Sequence, residues 1–466
     1  MRRFCAITFL LALAGLTVAC GVSGSPNSGN GGNGGGGGAG SQSQPVFITG
    51  EDTPLPTVVD FNITLNSITL NNSSGSVTVL STPTTVDFGR LIGLRSLLGF
   101  NKVTPGTYTS ATFTMSSPVI EYINLGTKPP SLGTMNGTLT ASTVTVAFPT
   151  AMVVSSNQLG GLHMDFDLRD SLETNVAGQI TGTVKPVIYI QAVSASDEEG
   201  QITDFTGSVI STNTSNNSFV MQGPWGFQEV IDVTPGTTQF NGSYSLVSLP
   251  LDGIASVVGT VQDDGSISAS AVEVITTNKA FISGRLLQVS PSSGPAQSVT
   301  MYIGEELPAM SGNYARGQVV TVDVSQISIY DVCFLNNWLT NAVFNSSKMI
   351  AGQRIFMGGT WDNSTATFTP NMISLRRQGV IGQLVPGKVN VVSGNQGSFE
   401  LQSNGLLEWV AGGPFTVNTG NKTNFVNVPG LSGLENAGTA PIVVGGLVLD
   451  VAGEPEVYAH RVAVLP

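Results

Sequence analysis

Between residues 46 and 196 apolar and polar positions alternate with a period of two. Phe61, Ile63 and Leu65 share one face, with Asp60, Asn62 and Thr64 on the other. Val144, Val146 and Phe148 alternate in the same way with Thr143, Thr145 and Ala147. Successive side chains of a strand point to opposite faces, so these segments predict antiparallel strands with one face buried. The spacing changes at 88–100. There Leu91, Leu94 or Arg95, and Leu98 recur at helical intervals and predict one helix, against the pull of Gly89, Gly93 and Gly99.

Past the acidic linker Asp197-Glu198-Glu199-Gly200 the pattern repeats. Three openings, Phe205-Thr206-Gly207-Ser208-Val209, Phe281-Ile282-Ser283-Gly284-Arg285-Leu286 and Val380-Ile381-Gly382-Gln383-Leu384, each lead to a second strand. The three closings contain Val258-Gly259-Thr260-Val261, Gly358-Gly359-Thr360-Trp361 and Gly445-Gly446-Leu447-Val448. Three copies follow, at 205–277, 279–377 and 378–466, the middle one carrying an insertion around 336–347. A unit this small buries a core by curling its short strands into a barrel. The expectation is small barrels strung as beads after a sandwich domain at 46–196.

The first residues have a different pattern. Arg2 and Arg3 precede an apolar run over 4–19, too short to stay as a membrane span, that closes on Leu16-Thr17-Val18-Ala19-Cys20. This resembles a bacterial lipoprotein signal at 1–19, with Cys20 as the lipidated first residue of the mature chain. Thr17, where an aliphatic residue is usual, leaves an ordinary secretory signal as the alternative. Two or more acyl chains hold a protein stably on a membrane. Residues 21–44 are Gly, Ser and Asn with little else, so 20–45 reads as a lipidated cysteine with a coil tether spanning about 25–30 Å. Gly21 is not the aspartate of an inner-membrane retention signal, which favours the outer membrane. The expected address is extracytoplasmic and lipid-anchored.

Four stretches carry a further resemblance: Val86-Asp87-Phe88-Gly89-Arg90-Leu91, Val103-Thr104-Pro105-Gly106-Thr107-Tyr108-Thr109, Asp165-Phe166-Asp167-Leu168-Arg169-Asp170-Ser171 and Val184-Lys185-Pro186-Val187-Ile188. In order and spacing they resemble the bacterial lipoprotein family called domain of unknown function 4382. That resemblance implies a prealbumin-like antiparallel β-sandwich and no known reaction. Thr238-Gln239-Phe240 and Thr423-Asn424-Phe425, in the first and third copies, resemble domain of unknown function 5666, a small OB-like barrel. The predicted fold is all-β: a prealbumin-like sandwich followed by three small OB-like β-barrel repeats.

Composition narrows the partners. Loss of 1–19 leaves 16 basic against 30 acidic residues, a net charge of −14. Nucleic acid is excluded, because phosphate binding needs clustered Lys and Arg. A protein or a neutral glycan is the partner expected. Of three cysteines, Cys5 leaves with the signal and Cys20 is acylated, so Cys333 remains as a small buried apolar residue and no disulfide forms within the mature chain.

Candidate chemistry is sparse. With only His163 and His460 available, a Ser-His-Asp triad has little to draw on, and His460 reads as a surface residue of a terminal strand. Alternation puts His163, Asp165 and Asp167 on one face, the one candidate metal site, suited to calcium and otherwise a solvated polar face. Gly382-Gln383-Leu384-Val385-Pro386-Gly387-Lys388-Val389 nearly matches a phosphate loop, but Val389 stands where Ser or Thr holds magnesium and no helix follows. Trp225 and Phe227, in a turn-rich segment, are the candidate stacking surface for a sugar ring. No cofactor is expected. The function expected is non-catalytic: an envelope lipoprotein that binds or supports. The alternatives are a carboxylate-dependent hydrolase using Asp165, Asp167 and Asp170, or a calcium-binding surface protein.

Overall fold

The alternation at 60–65 belongs to a strand, Val58–Asn72, whose Phe61, Ile63, Leu65, Ile68 and Leu70 are fully buried. The computed structural model describes residues 43–124, 131–156, 158–223, 226, 228–333, 343–403 and 405–465. Val58–Asn72 pairs with the long strand Gly106–Asn124 in a six-stranded sheet. A four-stranded sheet lies against it, in the order Ile188–Val193, Gly160–Asp167, Gln44–Thr53, Ser96–Val103. Residues from both sheets share one core, with Val46, Ile48, Leu162 and Met164 meeting Phe61, Ile63 and Phe113. Phe166 sits within it, its ring 5.3 Å from Phe61 and 5.1 Å from Phe88, and burying one such ring contributes about 1.5–3 kcal/mol. The chain is all-β and opens on a sandwich, although the central pair Gln44–Thr53 and Gly160–Asp167 runs parallel.

The helix expected over 88–100 does not form. One 3-10 turn, Phe88–Arg90, is followed by the strand Ser96–Val103. Gly93 adopts φ 63°, which ends any right-handed helix there. The leucines are buried all the same, so their spacing recorded burial rather than a helical period.

Three six-stranded sheets follow, over Ile202–Asn213 to Ile267–Thr276, Ala280–Ser290 to Thr367–Leu375, and Gln378–Ser393 to Glu454–Val464. Numbered within each sheet in chain order, all three have the strand order third, second, first, fifth, sixth, fourth. In the first and last sheets the third strand also pairs in parallel with the sixth and closes a barrel. The middle sheet shows no such closure among the described residues.

The repeated glycines have a common cause. At Gly207, Gly284 and Gly382 a Cβ would collide with the carbonyl oxygen of Gln222, Tyr302 or Gln402 on the neighbouring strand. At Gly259, Gly359 and Gly446 it would strike Ser268, Thr369 or Tyr458, each at a register shift. These are the bends where a small barrel turns its corner, and only glycine admits so close a backbone.

The repeats are not separate beads. Phe47, Leu97 and Val193 of the sandwich pack into the core of the first repeat beside Phe205 and Val257. Leu447 of the third repeat completes the core of the second. A small unit buries too little surface alone, and here neighbours supply the missing wall. The expected acidic linker is likewise structural: Glu198–Gly200 is a 3-10 turn, Glu198 pairs with Arg95 and Arg461, and Glu199 O accepts from Thr49 Oγ1.

Candidate functional site

A cleft of about 560 Å³ lies where the sandwich meets the first two repeats. Its sandwich wall is built by the strand Thr84–Asp87 and the turn Phe88–Arg90. Asp87 Oδ1 caps that turn, accepting from Arg90 N at 3.2 Å, and so aims both side chains toward the junction. Thr206, Ser208 and Gln222 come from the first repeat; Phe281, Glu305, Glu306, Leu307 and Arg316 come from the second.

Four of its lining residues, Asp87, Arg90, Glu305 and Arg316, belong to an ionic network drawn from three parts of the chain. Arg90 Nη1 lies 3.0 Å from Glu305 and 3.6 Å from Asp204, and Arg354 Nη2 lies 3.5 Å from Glu305. Arg316 Nη2 lies 3.1 Å from Asp87 and 3.4 Å from Asp60, while Tyr302 donates its phenol to Asp60 Oδ2 at 3.0 Å. Burial pushes Asp87 well up, helped by the charge of Asp60. Burial opposes Asp60 too, but the hydrogen bond from Asp87, Arg316 and Tyr302 hold it below the usual carboxylate range. The two carboxyls thus push each other's ionisation in opposite directions, Asp87 up and Asp60 down. Asp204 is held well down, the arginines at 90 and 354 overcoming its burial.

The residues singled out from the sequence lie elsewhere. His163 and Asp167 are buried, 7 % and 2 % exposed, and Asp165 is half-buried. This face is not solvated, because the 198–200 turn and Arg461 of the last strand cover it. Each of the three has its own partner. Thr49 Oγ1 gives its proton to Glu199 O at 2.8 Å and lies 3.0 Å from His163 Nδ1, so the imidazole is the donor there. Asp165 accepts from Thr53 N and Oγ1 at 2.8 and 2.6 Å. Asp167 caps the short helix Leu168–Ser171 through Asp170 N at 2.9 Å. Among the described residues no three His, Cys, Asp or Glu side chains gather closely enough to hold a metal ion. Cys20, Trp225 and Phe227 lie outside the described residues; Gly223 and Gly226, their neighbours in sequence, line the cleft.

His460, read from sequence as a surface residue, has its ring against Gly445 and its Nδ1 buried without a hydrogen-bond partner. Burial and the charges of Arg377 and Arg461 hold its pKa well below the usual value, so it stays neutral. Cys333 is buried, its thiol 3.4 Å from Glu273 Oε2. Trp361 is half-buried against Tyr314, and Trp338 lies outside the described residues.

The cluster leads to a pH prediction. Burial, with the charges of Glu51 and Asp167, pushes Asp165 up to about 7, and burial alone raises Glu229 to about 7. A carboxyl raised in the fold contributes stability fully present below its unfolded pKa of about 4 and lost as pH rises through about 7. Asp60 and Asp204, both depressed, contribute the opposite dependence, confined to pH below about 4. The melting temperature should therefore fall from pH 5 to pH 8, and Asp165→Asn, which stays neutral, should reduce that fall by about 2 °C or more. Equal slopes in wild type and variant by scanning calorimetry would remove Asp165 as a cause.

The network escaped sequence reading because Asp60 looked like one outward residue of an alternating strand. The available signal was the cap in Asp87-Phe88-Gly89-Arg90, which places an acid and a base at one turn. Neither a scan of protein-family models nor a search of curated proteins finds a match to this chain.

Proposed function

We propose that this chain is a non-catalytic cell-envelope lipoprotein, held by lipid at Cys20, whose junction cleft binds a neutral glycan. Engagement of both lining arginines carries the reading. Arg90 is answered by Glu305 at 3.0 Å and Arg316 by Asp87 and Asp60 at 3.1 and 3.4 Å, so an anionic ligand would have to break an existing pair and face Glu306 as well. The neutral side chains of Ser208 and Gln222 have hydrogen-bonding capacity to spare, and Phe281 and Leu307 offer apolar surface to a sugar ring. A concave volume of about 560 Å³ suits a short oligosaccharide better than a flat protein face.

The adjoining carboxyls of Asp60 and Asp87, pushed in opposite directions, favour a second reading, a carboxylate-dependent glycosidase. Against it, Arg316 grips Asp60 and Asp87 and Arg90 holds Glu305, which leaves Glu306 as the one lining carboxyl outside an ion pair among the described residues, whereas glycoside hydrolysis of this kind needs two. The readings separate in one experiment, in which neutral envelope oligosaccharides are titrated into the protein and recovered for mass spectrometry. Saturable heat that falls at least about tenfold in affinity in Ser208→Ala/Gln222→Ala, with the sugars intact, is the expected result. New reducing ends that vanish in Asp87→Asn would make the protein an enzyme, and absence of binding to any neutral sugar would end the glycan reading.

A further inference from the structure

Six interior arginines of this chain, Arg90, Arg95, Arg316, Arg354, Arg376 and Arg461, each pair with at least one carboxylate. Arg377, 7 % exposed, instead gives Nη2 to Thr203 O at 2.7 Å. Arg285 differs from all of these. Its backbone is fixed in the strand Ala280–Ser290 between Tyr302 and Arg354, yet its Nη1 is buried with no hydrogen-bond partner. Among the described residues no carboxylate lies at ion-pair distance from it. With 30 acidic against 18 basic residues, a shortage of carboxylates does not explain this. Burial and the neighbouring Arg354 push its pKa down to about 9, a cost that an unfilled site leaves unrelieved.

The Arg285 side chain borders a cavity of about 50 Å³ enclosed by the sandwich, the second repeat and the third. Most of the wall is apolar, with Leu55, Val380 and Leu407 prominent. Gln378 also faces it, but its amide is engaged, Nε2 donating to Gly352 O at 2.9 Å and Oε1 accepting from Arg354 N at 2.6 Å. Ser403 differs. Its Oγ accepts from Gly405 N at 3.0 Å, and its own proton has no acceptor among the described residues. The site thus offers a guanidinium and a hydroxyl proton, both donors, in apolar surroundings.

We propose that this cavity is a binding site for a small monocarboxylate, its carboxylate on Arg285 and Ser403 and its short aliphatic end on Leu55, Val380 and Leu407. A fork of N–H donors matches a planar carboxylate and strengthens each hydrogen bond by charge. One guanidinium balances one negative charge, whereas a phosphate dianion would leave a second charge uncompensated against apolar walls. The volume is several times the roughly 10–15 Å³ that one water needs on the same measure, enough for acetate or propionate. The site is separate from the glycan cleft and stands or falls without it.

The test titrates propionate and acetate into the full-length chain by calorimetry, with phosphate and chloride at equal ionic strength as comparisons. Saturable one-to-one binding of propionate, with Kd on the order of millimolar, is expected, together with a rise in melting temperature. Arg285→Gln should weaken it by at least about tenfold, and Arg285→Lys should recover part of the loss. If Arg285→Gln does not fold, Ser403→Ala provides the same comparison, with a several-fold loss. Absence of saturable binding, equal affinity for phosphate or chloride, or unchanged affinity in both variants would overturn the proposal and leave Arg285 solvated by water alone.

Discussion

Arg90→Met is expected to destabilise the folded chain by about 3 kcal/mol, the lower end of the usual cost of removing one member of a buried ion pair, because Arg354 still lies 3.5 Å from Glu305. Arg90 is 6 % exposed and touches two carboxylates from different repeats, Asp204 and Glu305. Methionine fills the space but leaves Asp204 facing apolar surface on that side, while Glu305 keeps Arg354. Asp204 would lose the first of the charges that hold it down, and its burial would then favour the neutral acid. Urea unfolding of wild type, Arg90→Met, Asp204→Asn and the double variant measures this as a cycle. The double variant should lose less than the sum of the singles. A single-variant loss below about 1 kcal/mol would mean that the network merely decorates the junction and does not join its three parts.

Cys20→Ala is expected to abolish membrane association outright. Acyl chains on a single cysteine are the whole of the proposed anchor, and without the thiol no diacylglycerol can attach. Labelled fatty acid should enter the wild-type band and not the variant, and the variant should move from the membrane to the soluble fraction. In sequence, Cys20 precedes the first described residue by more than twenty positions, so the melting temperature of the variant is expected to match that of the wild type. Persistent membrane association of the alanine variant would show that something other than lipid holds the protein there, and the lipoprotein reading would fail.

Several features of the fold were legible one strand at a time. Phe61, Ile63 and Leu65 needed only period-two alternation, because a strand that buries one face writes that fact locally. Gly207, Gly284 and Gly382 stood out as repeated positions before their role was visible, and a close backbone contact that recurs in each repeat leaves such a signature. The helix at 88–100 failed for the opposite reason. Leu91, Leu94 and Leu98 are buried by an irregular turn and a strand drawn from different directions, and spacing alone cannot tell that from a helical stripe.

The functional surfaces were much less legible. Asp60 alternates correctly and still points inward, because Arg316 and Tyr302, more than two hundred residues later, cover it. His163, Asp165 and Asp167 share a face as their spacing requires, yet that face is closed by Arg461, which reaches Glu51 across a separation of 410 residues. By itself the sequence determined most strands, the all-β class, the threefold repetition and the recurrence of its glycines, since each is settled within a strand or between neighbours. Tertiary structure alone decided why those glycines are needed, which charges are interior, which arginines meet no carboxylate and where the cleft opens. Those outcomes depend on what packs over a face, and the covering residues are far away along the chain.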